Sequence, residues 1–201
     1  MICIIDYGTS NIRSIYNAIK YLGYNPIVTK DYKEIIKADK LILPGVGAFK
    51  HCIDEIKNLK LYDIIKDHII NKQKPYLGIC VGMQILATKG MEVETSPGLG
   101  IFEAVVRKID SSDVTVPHIG WNSVNIVKDS ILFKHMENNT SFYFIHSFYF
   151  DVNNEIPLTY TNYGINFVSS ISKDNVYGVQ FHPEKSQDNG LKLLDNFITY
   201  S

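Results

Sequence analysis

Cys80 lies in the stretch LGICVGMQ, between an apolar run and a segment with helical character. Gly78 and Gly82 flank it, each two residues away. A nucleophile on a sharp turn from strand to helix needs small neighbours, because the backbone is crowded there. The pattern therefore favours a nucleophile elbow carrying a thiol over the buried packing role that a free cysteine more often has.

The residues after Cys80 could assist such a nucleophile. We expect a strand to end at Ile79 and a helix to cover about Val81 to Thr88. The N-terminal end of a helix favours the charged form of a nearby thiol through the helix dipole. The backbone N–H of Val81 would point to where an oxyanion could lie.

A cysteine nucleophile needs a base, and the base needs an orienting acceptor. His182 follows the strand-like YGVQF and precedes Pro183, which favours an extended backbone at His182. Glu184 comes two residues later, on the same side of an extended chain, where its carboxylate can hold the imidazole. The alternative for these residues is a surface His-Pro-Glu turn. Of the other histidines, we expect three in charged surroundings to be solvated and two in strand-like segments to be core or interface residues: His51, His68 and His135, then His118 and His146.

Two glycines, Gly45 and Gly47, follow the apolar segment KLIL in the stretch PGVGAF. The stretch lacks the GK[ST] ending of a phosphate-binding loop and the third glycine of a dinucleotide fingerprint. Backbone N–H groups freed by such a turn could donate to an oxyanion. A plain glycine turn after a strand is the alternative.

The elements that must position these residues alternate in the first half of the chain. ICII, NPIV, KLILP and PYLGI read as strands, and helical patterns lie between them. Asn11 is expected to cap the first helix, which Gly23 ends, Asp31 to open a short second helix, and a helical pattern to fill roughly Phe49 to Asn71. This alternation predicts an α/β fold with a mostly parallel sheet covered on both faces.

Strand formers dominate the chain from about Met91 onward. They predict antiparallel hairpins on or beside the parallel sheet, followed by an amphipathic helix from Asp188 to Tyr200. No linker or repeat divides residues 1–201, so we expect one domain. Ligands of open α/β sheets bind beyond the carboxyl ends of the strands. The three chemical segments all follow strands, which predicts that they form one site.

Composition narrows the function classes. The chain has 201 residues, 45% of them hydrophobic, and a net charge of -1 without a basic block, so we expect no nucleic-acid partner. The start MICIIDYG turns polar too soon for a signal peptide and no apolar run approaches membrane length, which predicts a cytoplasmic protein without a membrane partner. Three scattered cysteines (Cys3, Cys52 and Cys80) predict neither a disulfide framework nor a metal site.

Three motifs in this order resemble those of the class I (triad) glutamine amidotransferases: Pro44-Gly45-Val46-Gly47, Gly78-Ile79-Cys80-Val81-Gly82-Met83-Gln84 and Gly178-Val179-Gln180-Phe181-His182-Pro183-Glu184. The resemblance implies a flavodoxin-like sheet and a triad of Cys80, His182 and Glu184. It also implies L-glutamine as substrate, without a cofactor. An oxyanion would be bound by Val81 and the loop of Gly45, Val46 and Gly47, and Gln84 would help to hold the substrate.

Finer features are similar to the glutaminase subunits of imidazole glycerol phosphate synthase: DYGTSNIRSIYNAIKYLGY, VPHIGWN, FYFIHSFY and HPEKSQ. Ser10 departs from the glycine that this family often has there. The similarity implies a heterodimer with a (β/α)8-barrel cyclase subunit, HisF in that family, which receives the ammonia in histidine biosynthesis. Asn11, Trp121 and Lys185 would face that partner.

Three other interpretations stay open at this point. The chain could be a paralogous glutaminase that supplies ammonia to a sugar amidotransferase, because the acceptor chemistry belongs to the partner. A cysteine peptidase or hydrolase of related fold is disfavoured by the HPE segment and by GMQ after the cysteine. A non-catalytic flavodoxin-like regulatory module is disfavoured by the intact cysteine, histidine and glutamate.

Overall fold

The computed structural model describes residues 1–8, 11–152 and 157–201. Within those ranges, the chain forms a twelve-stranded sheet and a separate two-stranded sheet. The strands are β1 Ile2–Ile5, β2 Ile27–Thr29, β3 Lys40–Leu43, β4 Tyr76–Ile79, β5 Ala87–Met91, β6 Thr95–Pro97, β7 Phe102–Lys108, β8 His118–Ser123, β9 Asn125–Ile126, β10 Ser141–His146, β11 Phe148–Val152, β12 Thr159–Tyr163, β13 Ile165–Lys173 and β14 Val176–Val179. The helices are α1 Ile12–Tyr21, α2 Tyr32–Lys37, α3 Phe49–Asn58, α4 Tyr62–Lys66, α5 Val81–Gln84 and α6 Gln187–Tyr200.

The parallel part of the large sheet has the strand order β2-β1-β3-β4-β14. Its central strands are almost wholly buried, as expected for short apolar runs that are covered on both faces. The last strand in the sequence, β14, lies between β4 and β13 in the middle of the sheet. The predicted α/β fold with a mostly parallel central sheet and an added antiparallel section is confirmed.

The antiparallel section differs in detail from the sequence prediction. The sheet continues from β14 through β13, β11, β7, β5 and β6, and these pairs are antiparallel except for β5 with β7, which is parallel. Off this path, β12 pairs with β13 and β9 pairs with β12. The predicted strand segment SFYFIHSFYF divides at Ser147 into β10, which pairs with β8 in the small sheet, and β11, which pairs with β7 in the large one. The prediction that residues 1–201 form one domain stays a prediction.

Two predicted helical segments are shorter in the structure. The pattern over Phe49 to Asn71 breaks at Lys60, whose φ is 59°, so that α3 and α4 are separate helices; a π-helical turn, Asp67–Asn71, follows α4. The helix expected over Val81 to Thr88 is wrong beyond Gln84, because the chain enters strand β5 at Ala87. A single turn carries little of the macrodipole that was expected to act on the thiol.

The two predicted helix caps have different outcomes. The carboxylate of Asp31 accepts a hydrogen bond from the backbone N–H of Lys33 at 2.9 Å, which confirms it as the cap of α2. Asn11 does precede α1, but its side chain makes no capping hydrogen bond, so the predicted cap is wrong.

Buried polar residues correct one expectation about the histidines. His68 is 2% exposed, not solvated, and its Nε2 lies 3.2 Å from the carbonyl oxygen of Pro75. Desolvation lowers the pKa of His68 to about 4.

Cys3 and Cys52 are buried free thiols, and desolvation raises the pKa of each to about 12. No helix in the described ranges is long and apolar enough to cross a bilayer.

Candidate active site

Three neighbouring parallel strands deliver the three motifs to one place. β4 lies between β3 and β14, with Gly78 of β4 in register with Leu43 on one side and Gly178 on the other. The oxyanion-loop candidate follows β3, Cys80 follows β4, and the segment that leads to His182 follows β14. The carboxyl ends of adjacent parallel strands share one edge of the sheet, so the motifs meet there.

Cys80 occupies a strained backbone conformation between β4 and α5. Its φ is 54° and its ψ is -110°, a combination that a residue with a side chain rarely adopts. The turn is also tight: a Cβ atom on Gly78 would lie 2.3 Å from the carbonyl oxygen of Gly82, and one on Gly82 would lie 2.0 Å from that of Leu43. Both glycines are therefore required by close backbone approach.

His182 and Glu184 form a buried hydrogen-bonded pair. The imidazole Nδ1 of His182 lies 2.8 Å from Oε1 of Glu184, and both side chains are at most 1% exposed. Because a carboxylate only accepts hydrogen bonds, Nδ1 carries the proton and Nε2 is turned to the Cys80 side. Among the described residues, Nε2 has no aligned hydrogen-bond partner, as is common for catalytic groups before a substrate binds.

Charge interactions favour the protonated form of His182. Desolvation lowers its pKa, but the negative charge of Cys80 and the hydrogen bond and charge of Glu184 outweigh this effect and raise the pKa to about 10. A thiolate beside an imidazolium is the resting state that a Cys–His pair uses for nucleophilic attack.

Asn11 takes a position that the sequence did not predict. Its side chain is 6% exposed, and its Nδ2 donates to Oε1 of Glu184 at 3.0 Å. The same carboxylate oxygen thus accepts from His182 and from Asn11, which fixes the carboxylate from two sides. The expected role of Asn11 at a partner interface stays a prediction. Thr9 and Ser10, before it, lie outside the described residues.

The turn that carries His182 is held by residues that sequence reasoning missed. The backbone N–H of His182 donates to the carbonyl oxygen of Tyr143 in β10 at 2.8 Å. The hydroxyl of Ser186 donates to the carbonyl oxygen of His182 at 2.6 Å and accepts from the backbone N–H of Tyr143 at 2.9 Å. A Cβ atom on Gly190 of α6 would lie 1.8 Å from the carbonyl oxygen of Pro183. Strand β10 and helix α6 therefore clamp the turn between them.

A cavity of about 420 Å³ opens beside the sulfur of Cys80. Its lining includes all three motifs, together with parts of β10 and the start of β11: Val46, Gly47, Ala48, Cys80, Val81, Gln84, Glu92, Pro117, Ile145, His146, Ser147, Phe148 and His182. Gly45, the first residue of the oxyanion-loop candidate, packs against the turn after Cys80: a Cβ atom on it would be 2.7 Å from the backbone nitrogen of Gly82. Gly47 has a φ of 100°. The loop therefore lies in close contact with the turn of Cys80 to Gly82, and Val46 and Gly47 line the cavity.

A family model described as "Glutamine amidotransferase class-I" matches residues 3–200. The chain belongs to this family. Within it, the chain is similar to "Imidazole glycerol phosphate synthase subunit HisH 1" of Campylobacter jejuni strain RM1221, with 42% identity over 98% of this chain and 99% of that protein. HisH 1 of Methanococcus maripaludis is 47% identical over 98% of each chain. HisH of Caldanaerobacter subterraneus subsp. tengcongensis is 46% identical over 98% of this chain and 97% of that one.

Solved structures share the amidotransferase fold at lower identity. A structure titled "Crystal structure of glutamine amidotransferase" superposes with a TM-score of 0.77 at 17% identity, over 99% of this chain and 100% of that one. The structure of PurLQS from Thermotoga maritima superposes with a TM-score of 0.77 at 18% identity, over 99% of this chain and 97% of that one. The relatives favour a HisH-type glutaminase over the sugar-pathway paralogue, the peptidase and the regulatory module.

The amidotransferase pocket contains a carboxylate that the sequence analysis did not single out. Glu92 follows β5 and lines the cavity, and its Oε2 accepts from the backbone N–H of Phe49 at 2.6 Å. Gln84, which was predicted, also lines the cavity; its Nε2 donates to the carbonyl oxygen of Phe148 at 2.9 Å and to Oε1 of Gln180 at 3.0 Å. Both N–H groups of Gln84 are used internally, so the carbonyl oxygen is the group left for a ligand.

The remaining predicted residues of this amidotransferase lie at its surface. Trp121 in β8 is 48% exposed and packs edge-on against Tyr143, with ring centroids 5.9 Å apart. Ile119, on the same face of β8, is 58% exposed, and Lys185 is exposed next to the triad turn. The two histidines in strand-like segments, His118 and His146, are buried; we expected them to be either core or interface residues. Among the described residues, no group of three or more metal-ligating side chains converges.

Proposed function

We propose that this chain is the glutaminase subunit of an imidazole glycerol phosphate synthase, which hydrolyses L-glutamine to glutamate and ammonia. The observation that carries the proposal is the pairing of a strained Cys80 with a buried His182–Glu184 pair at one cavity. The relatives named HisH, similar over nearly their full length, support the same assignment.

In the first half of the reaction, the Cys80 thiolate attacks the side-chain amide carbon of glutamine. His182 donates its Nε2 proton to the leaving nitrogen, and ammonia departs to leave a glutamyl thioester. Glu184 keeps the proton of His182 on Nδ1, so that the proton that is transferred is the one on the substrate side.

Charge that develops on the carbonyl oxygen needs donors that are already in place. We assign this role to the backbone N–H of Val81 and to the loop of Gly45, Val46 and Gly47, which lie against each other beside Cys80. The amino-acid part of glutamine carries an ammonium group. The carboxylate of Glu92 and the side-chain oxygen of Gln84 are the acceptors in the cavity that suit it.

The ammonia acceptor belongs to a partner subunit. We propose a (β/α)8-barrel cyclase subunit of the HisF type, docked as a heterodimer on the surface that carries Trp121 and Lys185, with Asn11 close to its edge. The exposure of Trp121 and Ile119 on one strand face supports this surface, because interfaces favour such aromatic anchors. In the cytoplasm, the cyclase would combine the ammonia with a phosphoribosyl-aminoimidazole substrate to give imidazole glycerol phosphate and AICAR.

The decisive experiment uses the complex of this chain with a co-expressed barrel cyclase. We expect Cys80→Ala to lower glutamine-dependent synthesis by more than about a thousandfold, because no nucleophile remains, while ammonia-dependent synthesis persists. Cys52→Ala, which removes a buried thiol inside α3, is the control and should retain glutamine-dependent synthesis.

Two outcomes would contradict the proposal in different ways. Glutamine-dependent turnover by the Cys80→Ala complex would show that Cys80 is not the nucleophile. A chain that does not co-purify with the cyclase, but does so with a sugar amidotransferase, would support the paralogous pathway and leave the glutaminase chemistry in place.

A further inference from the structure

A continuous set of buried hydrogen bonds ends on the sulfur of Cys80. Nε2 of Gln180 lies 3.6 Å from this sulfur, and Oε1 of Gln180 accepts from Nε2 of Gln84. Gln84 in turn donates to the carbonyl oxygen of Phe148, which also lies 2.9 Å from Nδ1 of His146. Gln180 is completely buried, so its side chain has no contact with solvent.

The direction of every bond in this set follows from one fixed acceptor. The carbonyl oxygen of Phe148 can only accept, so Gln84 must present its NH2 group to it. The second hydrogen of that NH2 group points to Gln180, which must therefore present its carbonyl oxygen. Only the NH2 group of Gln180 is then left for the sulfur of Cys80.

The opposite orientation of Gln180 has two costs. Its NH2 group would then face the NH2 group of Gln84, and its carbonyl oxygen would face the sulfur. An oxygen lone pair against a thiolate repels it, whereas an N–H group makes a charge-assisted hydrogen bond. The orientation that donates to Cys80 is therefore selected by Gln84 and Phe148 even before the sulfur is considered.

We propose that Gln180 is a catalytic residue that donates an N–H hydrogen bond to the Cys80 thiolate, in an orientation set by Gln84 and the carbonyl group of Phe148. The proposal deepens the glutaminase function proposed above and rests on it. His182 cannot serve the sulfur throughout the reaction, because it gives its proton to the leaving ammonia. Gln180 has no such duty and keeps its hydrogen at every step.

The bond matters most when the thioester breaks down. Water attacks the thioester carbonyl carbon and gives one proton to Nε2 of His182. The carbon–sulfur bond then breaks and its electron pair goes to sulfur. The products are the carboxylic acid of glutamate, which loses its proton to solvent, and the Cys80 thiolate. Charge therefore reappears on the sulfur, where the Gln180 N–H is already in position.

Other groups around the sulfur define what the test must separate. His182, His146 and Glu92 line the same cavity, and Cys52 lies below the elbow, close enough for its pKa to be raised in part by the charge of Cys80. Gln180 itself is neutral and does not line the cavity. Its removal should therefore change the behaviour of the sulfur without changing the binding of glutamine.

The test measures the rate at which iodoacetamide alkylates Cys80 as a function of pH, in the purified full chain, with the modified residue identified by mass spectrometry. Cys3 and Cys52 are buried, with pKa values raised to about 12, so they should not react. Gln180→Met keeps the length of the side chain and removes the donor to the sulfur. It also removes one acceptor of Gln84, which keeps its hydrogen bond to the carbonyl oxygen of Phe148. We expect its alkylation profile to move to higher pH, and kcat for glutamine in the cyclase complex to fall about tenfold with KM unchanged.

A second variant and a control keep the test decisive. Gln180→Asn retains an amide but withdraws it from the sulfur, and it should move both quantities in the same direction if Gln180→Met does not fold. Asn196→Leu removes another buried amide, which donates to the carbonyl oxygens of Leu132 and Lys134 and does not line the cavity beside Cys80, and should leave the alkylation profile in place. Profiles for both Gln180 variants that match the unsubstituted chain would overturn the proposal. Because alkylation needs no glutamine, this result is independent of whether the glutaminase assignment holds.

Discussion

At the scale of single residues, the backbone conformation of Cys80 costs stability and places the thiol in the cavity. A φ of 54° with a ψ of -110° is the mirror image of an ordinary extended conformation, and glycine adopts it without a steric penalty. A residue with a Cβ atom holds it only because the surrounding turn leaves no alternative. The strain directs the thiol out of the sheet edge and into the cavity.

The strain predicts an unusual order of stabilities. Cys80→Gly should be more stable than Cys80→Ala by about 1–2 kcal/mol, because only glycine removes the steric cost. Urea denaturation of the two inactive variants measures the difference. At Cys52, inside α3, the order should reverse, with glycine about 1 kcal/mol less stable than alanine. An alanine variant at position 80 as stable as the glycine variant would show that the turn is not strained.

At the scale of elements, helix α6 packs against the turn that carries His182 and Glu184 and so sets its position. Its Gly190 lies against the backbone of Pro183, between His182 and Glu184. Because Gly190 has no side chain, the backbones of α6 and of Pro183 lie in direct contact. The packing of α6 therefore affects the positions of His182 and Glu184. Strand β10 holds the other side of the turn through Tyr143.

Gly190→Ala should therefore cost about 1–3 kcal/mol of stability, because overpacking outweighs the better helix propensity of alanine. It should also lower kcat for glutamine, since the turn must shift to make room. Thermal unfolding and glutaminase assays measure the two effects. Lys192→Ala, two residues along the same helix, is the control and should change neither. A fully active, equally stable Gly190→Ala variant would contradict the coupling.

The sequence predicted the elements best where their physical signals are local. β3, β4 and the capped helix α2 follow from apolar runs and from Asp31, and the expectation that Cys80 and His182 come after strands matches the ends of β4 and β14. The short α5, the division at Ser147 and the burial of Asn11 and His68 were not predictable in this way. Each of them depends on a contact outside its own element: the entry of β5 into the sheet, the pairing of β10 with β8, the carboxylate of Glu184 and the carbonyl of Pro75.

At the scale of the whole molecule, buried histidines determine how stability depends on pH. Desolvation lowers the pKa of His68 and His118 to about 4 and that of His146 to about 3. The last two share a hydrogen bond of 3.0 Å between Nδ1 of His118 and Nε2 of His146, which requires the ring that accepts it to be neutral. His182 is the opposite case, with a pKa raised to about 10.

These shifts predict a maximum of stability between about pH 6 and pH 7. Below the ordinary histidine pKa of about 6.5, the histidines of the unfolded chain bind protons, whereas His68, His118 and His146 in the folded chain stay neutral. Stability therefore falls as the pH drops toward 4. Above it, the folded chain retains the His182 proton that the unfolded chain has lost, so stability falls as the pH rises toward 10. Urea midpoints across this range measure both limbs. His68→Gln should flatten the acid limb alone, and an unchanged acid limb would contradict the assignment.

The central position of β14 has a consequence for the order in which the molecule is completed. This strand is the last of the described strands in sequence order, yet it is the only link between β4 and β13 within the described large sheet. A chain that ends before Val176 would hold two separate half-sheets, with the thiol of Cys80 on one of them, and would lack His182. A polypeptide released early by a damaged message therefore cannot consume glutamine. Glutamine hydrolysis therefore requires a chain that has been translated beyond Glu184.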